Sequence, residues 1–156
     1  MHRARLSDRR EFCKQITTVA ACTSGLALIS ACGSSGNPAN SIPGSPLPTV
    51  SGTVSNGQLS VQIGAASPLA SSGGMALVNS TAGTFLVSRT GATTFVAVTA
   101  QCTHEACVVS NATASTYVCP CHGSEFDTSG RVVVGPAVAP LRQFATSFSN
   151  NVLTIG

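Results

Sequence analysis

Short apolar segments separated by turn-forming residues dominate the chain from residue 56 onward. Most of these segments are rich in Val, Thr, Leu and Phe, which favour strands, and none has a convincing helical period. Gly, Ser and Asn pairs mark the turns between them. The pattern predicts an all-β fold, a small antiparallel β-sandwich. The predicted strands are 59–63, 75–79, 84–89, 94–100, 116–118, 131–134, 142–148 and 152–155.

Residues 1–31 have a different pattern, that of an export signal. The segment Ser7–Lys14 resembles the twin-arginine signal, in which an arginine pair is followed by x-Phe-x-Lys. An apolar run over residues 16–31 follows, which is shorter than the ~20 residues that a helix needs to cross a bilayer. We therefore predict a cleaved twin-arginine signal peptide at residues 1–31.

The apolar run ends in Leu-Ile-Ser-Ala directly before Cys32. This resembles a lipobox, whose cysteine is acylated and becomes the new N-terminus. The expected location is the periplasmic or extracytoplasmic face, as a membrane-attached lipoprotein. The alternative is that the N-terminal segment is retained as an uncleaved transmembrane anchor.

Residues 32–55 are rich in Gly, Ser, Pro and Asn and have almost no apolar periodicity. This composition is typical of a flexible linker. The predicted domain boundaries are therefore 32–55 for a linker and 56–156 for a folded domain.

The formal charge of +3 comes from the first fourteen residues, which hold five basic and two acidic residues. In the rest of the chain three arginines balance three acidic residues: Arg89, Arg131 and Arg142 against Glu105, Glu125 and Asp127. Nucleic-acid binding requires a basic surface, so we exclude it for this neutral body.

The reactive side chains are concentrated in two stretches, Cys102–Cys107 (CTHEAC) and Cys119–Phe126 (CPCHGSEF). Each follows a predicted strand, and adjacent strand ends could bring the two loops face to face. Each stretch offers one cysteine and one histidine at close spacing, together with a second cysteine. A Cys₂His₂ zinc site is one interpretation, although it leaves Cys107 and Cys121 without a role.

Together these two stretches resemble the Rieske [2Fe–2S] family. The resemblance implies that Cys102 and Cys119 hold one iron and that His104 and His122 hold the other. It also implies a disulfide between Cys107 and Cys121, as in the high-potential branch of the family. The segment Gly135–Leu141 looks like the proline-rich loop that covers the cluster in that family.

Two further positions are expected to tune the midpoint potential. Ser124 matches a serine that donates a hydrogen bond to a cluster sulfide in high-potential members. Phe126 is found where those members have a tyrosine that donates to a ligand sulfur, and phenylalanine has no donor. Two thiolates and two neutral imidazoles still leave the oxidised site neutral, which favours a higher potential than four thiolates would give.

The resulting prediction is an exported electron-transfer protein, acting as a carrier or as the small subunit of a respiratory redox complex. Its partner would be a cytochrome, a cytochrome bc-type complex or a molybdenum oxidoreductase. The alternative is the Rieske subunit of a quinol-oxidising cytochrome bc-type complex, in which His122 would contact the quinol. A terminal oxygenase is excluded, because its mononuclear iron needs histidines beyond His104 and His122. The chain is expected to be part of an oxidoreductase and to have no catalytic residues of its own.

Overall fold

The computed structural model describes residues 42–156, in which fourteen short strands occur and no helix. The strands are β1 Ser45–Pro46, β2 Thr49–Ser51, β3 Thr53–Ser55, β4 Gln58–Gln62, β5 Met75–Ser80, β6 Gly83–Arg89, β7 Phe95–Thr99, β8 Asn111–Ala112, β9 Thr116–Val118, β10 Glu125–Asp127, β11 Val132–Val134, β12 Gln143–Phe144, β13 Thr146–Ser149 and β14 Val152–Ile155.

The strands form three sheets. The first has the order β1-β8-β9-β10-β11, the middle sheet β12-β7-β6-β5-β2, and the outer sheet β13-β14-β4-β3. The described strand pairs are antiparallel except for β2 with β5, which is parallel. The predicted all-β class with antiparallel sheets is therefore confirmed.

The middle sheet is covered on both faces, because successive side chains of a strand point to opposite sides. On β5, Ala76 and Val78 pack in the core shared with the outer sheet, whereas Leu77 packs in the core shared with the first sheet. On β6, Val87 and Leu86 divide between the two cores in the same way. Burial on both faces explains why these strands appear in the sequence as continuous apolar runs.

The predicted boundary of the linker is wrong in its second half. Strands β1, β2 and β3 lie within residues 45–55, where they pair with β8, β5 and β4. Strands β2 and β3 are each a Thr-Val-Ser triplet with one half-buried valine, and both residues of β1 are exposed. Such short strands give no extended apolar pattern in the sequence, although the buried Leu47 anchors this segment. Gly44 allows the chain to enter the first sheet, since it has a φ of +90° and a Cβ there would lie 2.7 Å from the Ala112 oxygen.

The predictions of a signal peptide at residues 1–31 and of lipidation at Cys32 lie outside the described residues. Within residues 42–156, no helix has the length and apolar character needed to span a membrane.

Candidate metal centre

The first loop, residues 102–107, is a tight turn that follows β7. The backbone N–H of Cys102 donates to the Cys107 carbonyl at 2.8 Å, and that of Ala106 donates to the Cys102 carbonyl at 2.9 Å. A bridge between Gln101 and Val108 closes the base of the loop. This geometry buries the Cys102 side chain, which is 3% exposed, and leaves His104 at the surface.

The second loop, residues 119–124, connects β9 to β10. The N–H of Cys119 donates to the Ser124 carbonyl at 2.8 Å, and the N–H of Gly123 donates to the Cys119 carbonyl at 3.0 Å. Gly123 has a φ of 75°, a conformation that a side chain would disfavour. The loop buries Cys119, which is 1% exposed, and leaves His122 at the surface.

The two loops come from different sheets, which differs from the expectation of adjacent strand ends. Strand β7 belongs to the middle sheet and β9 to the first sheet. The loops meet because the two sheets pack face to face over a shared core. A disulfide between Cys107 and Cys121, with the Cα atoms 6.5 Å apart, joins them covalently.

The two remaining thiols are buried side by side. Burial is the main reason why the pKa of the Cys119 thiol is raised, and the adjacent Cys102 thiol adds to the rise. Backbone N–H groups of Cys121 and His122 act in the opposite direction. Two neighbouring thiolates at this depth therefore need positive charge beside them, which a bound metal supplies.

The two imidazoles lie together at the surface. The ring centroids of His104 and His122 are 4.9 Å apart, with an interplanar angle of 87°. The Oε2 atom of Glu105 is 3.8 Å from Nδ1 of His122. Two buried sulfurs and two exposed nitrogens are a donor set that fits a two-iron cluster with a thiolate-bound inner iron and a histidine-bound outer iron.

A third loop, the proline loop at residues 135–140, is hydrogen-bonded to both metal loops. The N–H of Ala137 donates to the Ser124 hydroxyl at 3.0 Å, and the hydroxyl of Thr103 donates to the Ala139 carbonyl at 2.6 Å. The Gly135–Pro136 peptide bond is cis. This loop was predicted from the sequence, but its contact with Thr103 was not. Nothing in the sequence near Thr103 indicates a hydrogen bond to a residue 36 positions away.

Ser124 and Phe126 are both fully buried next to the second loop. Because the Ser124 hydroxyl accepts the bond from Ala137, its own hydrogen remains available for a second acceptor, such as a cluster sulfide. Phe126 packs in the same core as Cys102 and Cys119 and contributes no donor.

Tyr117 is the cross-strand partner of Phe126, and it is fully buried. Burial raises the pKa of its phenol, which lies near Ser88. In spite of this proximity, neither hydroxyl has a partner in hydrogen-bonding geometry. The phenol therefore faces the middle sheet, which agrees with a structural role for Tyr117.

Fold and site together define a small β-protein with a thiolate–imidazole metal centre held by disulfide-linked loops. The sequence profile of the Rieske [2Fe–2S] domain matches residues 60–145. This is more than half of the chain, so the chain belongs to the Rieske [2Fe–2S] domain family and carries a [2Fe–2S] cluster. The predicted family and cofactor are confirmed, and the zinc interpretation is set aside.

Several relatives share the region of the metal loops. The cytochrome b6-f complex iron-sulfur subunit of Prochlorococcus marinus (strain MIT 9211) is 56% identical over 41 residues, which are 26% of this chain and 23% of that protein. The corresponding subunit of Synechococcus sp. (strain CC9605) is 46% identical over 55 residues, which are 35% of this chain and 31% of that protein. The chain thus matches less than a third of the length of these relatives.

Similar solved structures include an oxygenase–ferredoxin complex and a plasma membrane Rieske protein. A complex of reduced oxygenase and oxidised ferredoxin in carbazole 1,9a-dioxygenase gives a TM-score of 0.50 at 26% identity, covering 62% of this chain and 92% of that one. The plasma membrane Rieske protein PetC3 from Synechocystis PCC 6803 gives 0.48 at 36% identity, covering 53% of this chain and 86% of that one.

Proposed function

We propose that this chain is the electron-transfer subunit of a cytochrome bc-type complex. The observation that carries the electron-transfer function is the arrangement of the site, with two buried thiols and two exposed imidazoles. When bound, the [2Fe–2S] cluster accepts and releases one electron. The identity of 46–56% to cytochrome b6-f iron-sulfur subunits over the metal loops supports this choice of complex.

The proposed ligands are Cys102 and Cys119 for the inner iron and His104 and His122 for the outer iron. The thiols are shielded from solvent and the imidazoles are not, so electrons would enter and leave on the histidine side. The disulfide between Cys107 and Cys121 holds the two loops in register, so that all four donors keep their positions.

His122 is the proposed contact for the quinol. Its side chain is 47% exposed, and a ligand histidine can use its second ring nitrogen to bind the substrate hydroxyl. Proton uptake at this nitrogen would accompany electron uptake by the protein.

A quinone-analogue inhibitor added to membranes should therefore change the line shape of the reduced protein's EPR signal. It should have no effect on the isolated chain.

For the location, we propose export by the twin-arginine route and attachment to the membrane at the extracytoplasmic face. Support comes from the Arg9–Arg10 pair, from the lipobox-like residues before Cys32, and from a disulfide typical of oxidising compartments.

The test is purification of the tagged full chain from its own membranes in mild detergent. We expect a rhombic EPR signal with an average g below 2 after reduction, and co-purification of a cytochrome b. A chain that carries the signal but is recovered with a molybdenum enzyme, or alone, would refute the bc-type assignment and indicate a carrier. A colourless, EPR-silent protein would refute electron transfer itself.

A further inference from the structure

Glu105 is the one carboxyl residue in the three loops that surround the metal centre, residues 102–107, 119–124 and 135–140. Its side chain is 61% exposed, and Oε2 lies 3.8 Å from Nδ1 of His122. A negative charge is therefore placed beside the imidazoles at the exposed end of the molecule, which we call the tip.

Most of the other charged side chains of residues 42–156 have partners of their own. Glu125 accepts a bond from Thr116, and Asp127 accepts bonds within its own turn. Arg89 donates to the carbonyls of Leu69 and Ala70, while Arg142 lies over the Phe144 ring. Arg142 lines one cavity with Ala106 and Val108, so it is a cation near this surface, but Glu105 is the carboxylate beside the imidazoles.

The exposed surface near these loops also includes two apolar side chains. Val138, on the proline loop, is 94% exposed, and Val108, next to the disulfide, is 49% exposed. The Ala139 carbonyl, next to Val138, accepts from Thr103, two positions before Glu105, so the proline loop lies against the loop that carries Glu105. A partner gains free energy by covering the valines, but it must provide a cation for the carboxylate, because an unpaired buried charge is costly.

We propose that the tip docks onto a redox protein that presents a basic side chain beside its electron-accepting cofactor. Val138 makes the apolar contact and Glu105 the charged one. A partner with an acidic face is rejected by the same carboxylate. The inference rests on the proposed electron-transfer function. It specifies in addition that the docking surface of the partner protein is positively charged.

The test uses two small oxidants of opposite charge on the reduced holoprotein. Tris(1,10-phenanthroline)cobalt(III) is a trication and ferricyanide is a trianion. Each takes one electron from the protein, giving cobalt(II) or ferrocyanide, and no bond forms or breaks. The variant Glu105→Gln removes the charge at the tip. Glu125→Gln is the matched control. It also removes one negative charge, but at another position, and its amide oxygen can still accept the bond from Thr116.

We expect Glu105→Gln to lower the cobalt rate and raise the ferricyanide rate, each by roughly fourfold at low ionic strength. Any change in driving force affects both oxidants in the same direction, so the ratio of the two rates isolates the electrostatic effect. The effect should shrink in high salt, and Glu125→Gln should leave the ratio near the wild-type value.

A second readout involves no electron transfer. Hexaamminechromium(III) and tris(oxalato)chromium(III) are redox-inert paramagnets that change the microwave power saturation of a nearby EPR signal. The cation should relax the signal of the wild-type protein more strongly than the anion, and Glu105→Gln should remove the difference. Equal ratios in wild type and Glu105→Gln would overturn the inference while leaving a functional cluster. Absence of the EPR signal would instead refute the proposed function.

Discussion

Phe126 is fully buried in the core that holds both free thiols, two positions after Ser124. We predict that Phe126→Tyr raises the midpoint potential by on the order of 50 mV, because a donor to sulfur stabilises the reduced, more negative state. Protein-film voltammetry of the holoprotein measures this directly. Tyr117→Phe is the matched control and should leave the potential unchanged, since the Tyr117 phenol lies near Ser88. An unchanged or lowered potential in Phe126→Tyr would refute this role.

Ser124 combines two functions at one oxygen, which accepts from Ala137 and retains a hydrogen to donate. We predict that Ser124→Ala lowers the midpoint potential by roughly 50–100 mV, because the reduced state loses a donor. Ser88→Ala is the control, since Ser88 is also buried but has no hydrogen-bond partner. If both variants shift the potential equally, then Ser124 does not donate to the metal centre.

At the scale of elements, the proline loop depends on single side-chain contacts. The Thr103 hydroxyl donates to the Ala139 carbonyl at 2.6 Å. We predict that Thr103→Val speeds hydrogen exchange at the Ala137 amide and the loss of the metal centre by roughly fivefold, which corresponds to the ~1 kcal/mol of one hydrogen bond. Thr93→Val, on an exposed turn, should have no such effect. Unchanged exchange in Thr103→Val would show that other contacts hold the loop.

The hairpin between β10 and β11 depends on Asp127, whose Oδ1 accepts from the N–H groups of Ser129 and Arg131, both at 2.9 Å. Burial acts to raise the pKa of this carboxyl, but the bonds from Ser129 and Arg131 and the charge of Arg131 together hold it below its ordinary value. Because the pKa of this carboxyl is lower in the folded than in the unfolded state, its charge stabilises the fold at pH values above the unfolded-state pKa. This contribution is lost as the pH falls through the folded-state pKa.

We therefore predict that Asp127→Asn lowers the free energy of unfolding by about 1 kcal/mol at pH 7, because neutral acceptors form weaker bonds. The difference from wild type should persist down to about pH 4, the ordinary pKa of a carboxyl, and shrink below it as the pH falls through the lower folded-state pKa. Urea unfolding at several pH values tests this. A difference that stays constant with pH would mean that the carboxylate charge is not involved.

Strands with apolar runs were predictable from the sequence, whereas strands held mainly by backbone pairing were not. The predicted ranges 116–118 and 152–155 match β9 and β14, since both strands bury apolar side chains and are flanked by turns. Strand β10 was missed because Glu125 and Asp127 flank a single apolar residue, Phe126. The predicted strand 142–148 is interrupted at Ala145, where the chain passes from the middle sheet to the outer sheet.

The donor set of the site was predictable because every Cys and His of residues 42–156 lies in one of two short stretches, 102–107 and 119–122. The contacts between loops were not, since Ser124 and Ala137 are separated by 13 positions and Thr103 and Ala139 by 36. Such contacts depend on how two sheets pack, which local patterns do not encode.

At the scale of the whole molecule, the strands at residues 45–55 shorten the predicted linker. The folded domain begins close to Gly44, so the segment available to connect it to Cys32 is about half as long as the sequence suggested. The eleven residues 33–43 can extend by at most about 3.5 Å each, so the domain lies no more than roughly 40 Å from Cys32. How the N-terminus is attached therefore decides how far the metal centre can move.

We predict that Cys32→Ala abolishes acylation and releases the exported protein from the membrane. A lipidated N-terminus depends on this one thiol, whereas a retained apolar helix would not depend on it. Palmitate labelling and fractionation of cells that produce the full chain measure both effects. Cys22→Ala, in the middle of the apolar run, is the matched control and should remain labelled and membrane-bound. A wild-type chain without label, retained in the membrane as firmly as Cys32→Ala, would refute lipidation and establish the uncleaved anchor. The proposed subunit would then be attached by a helix.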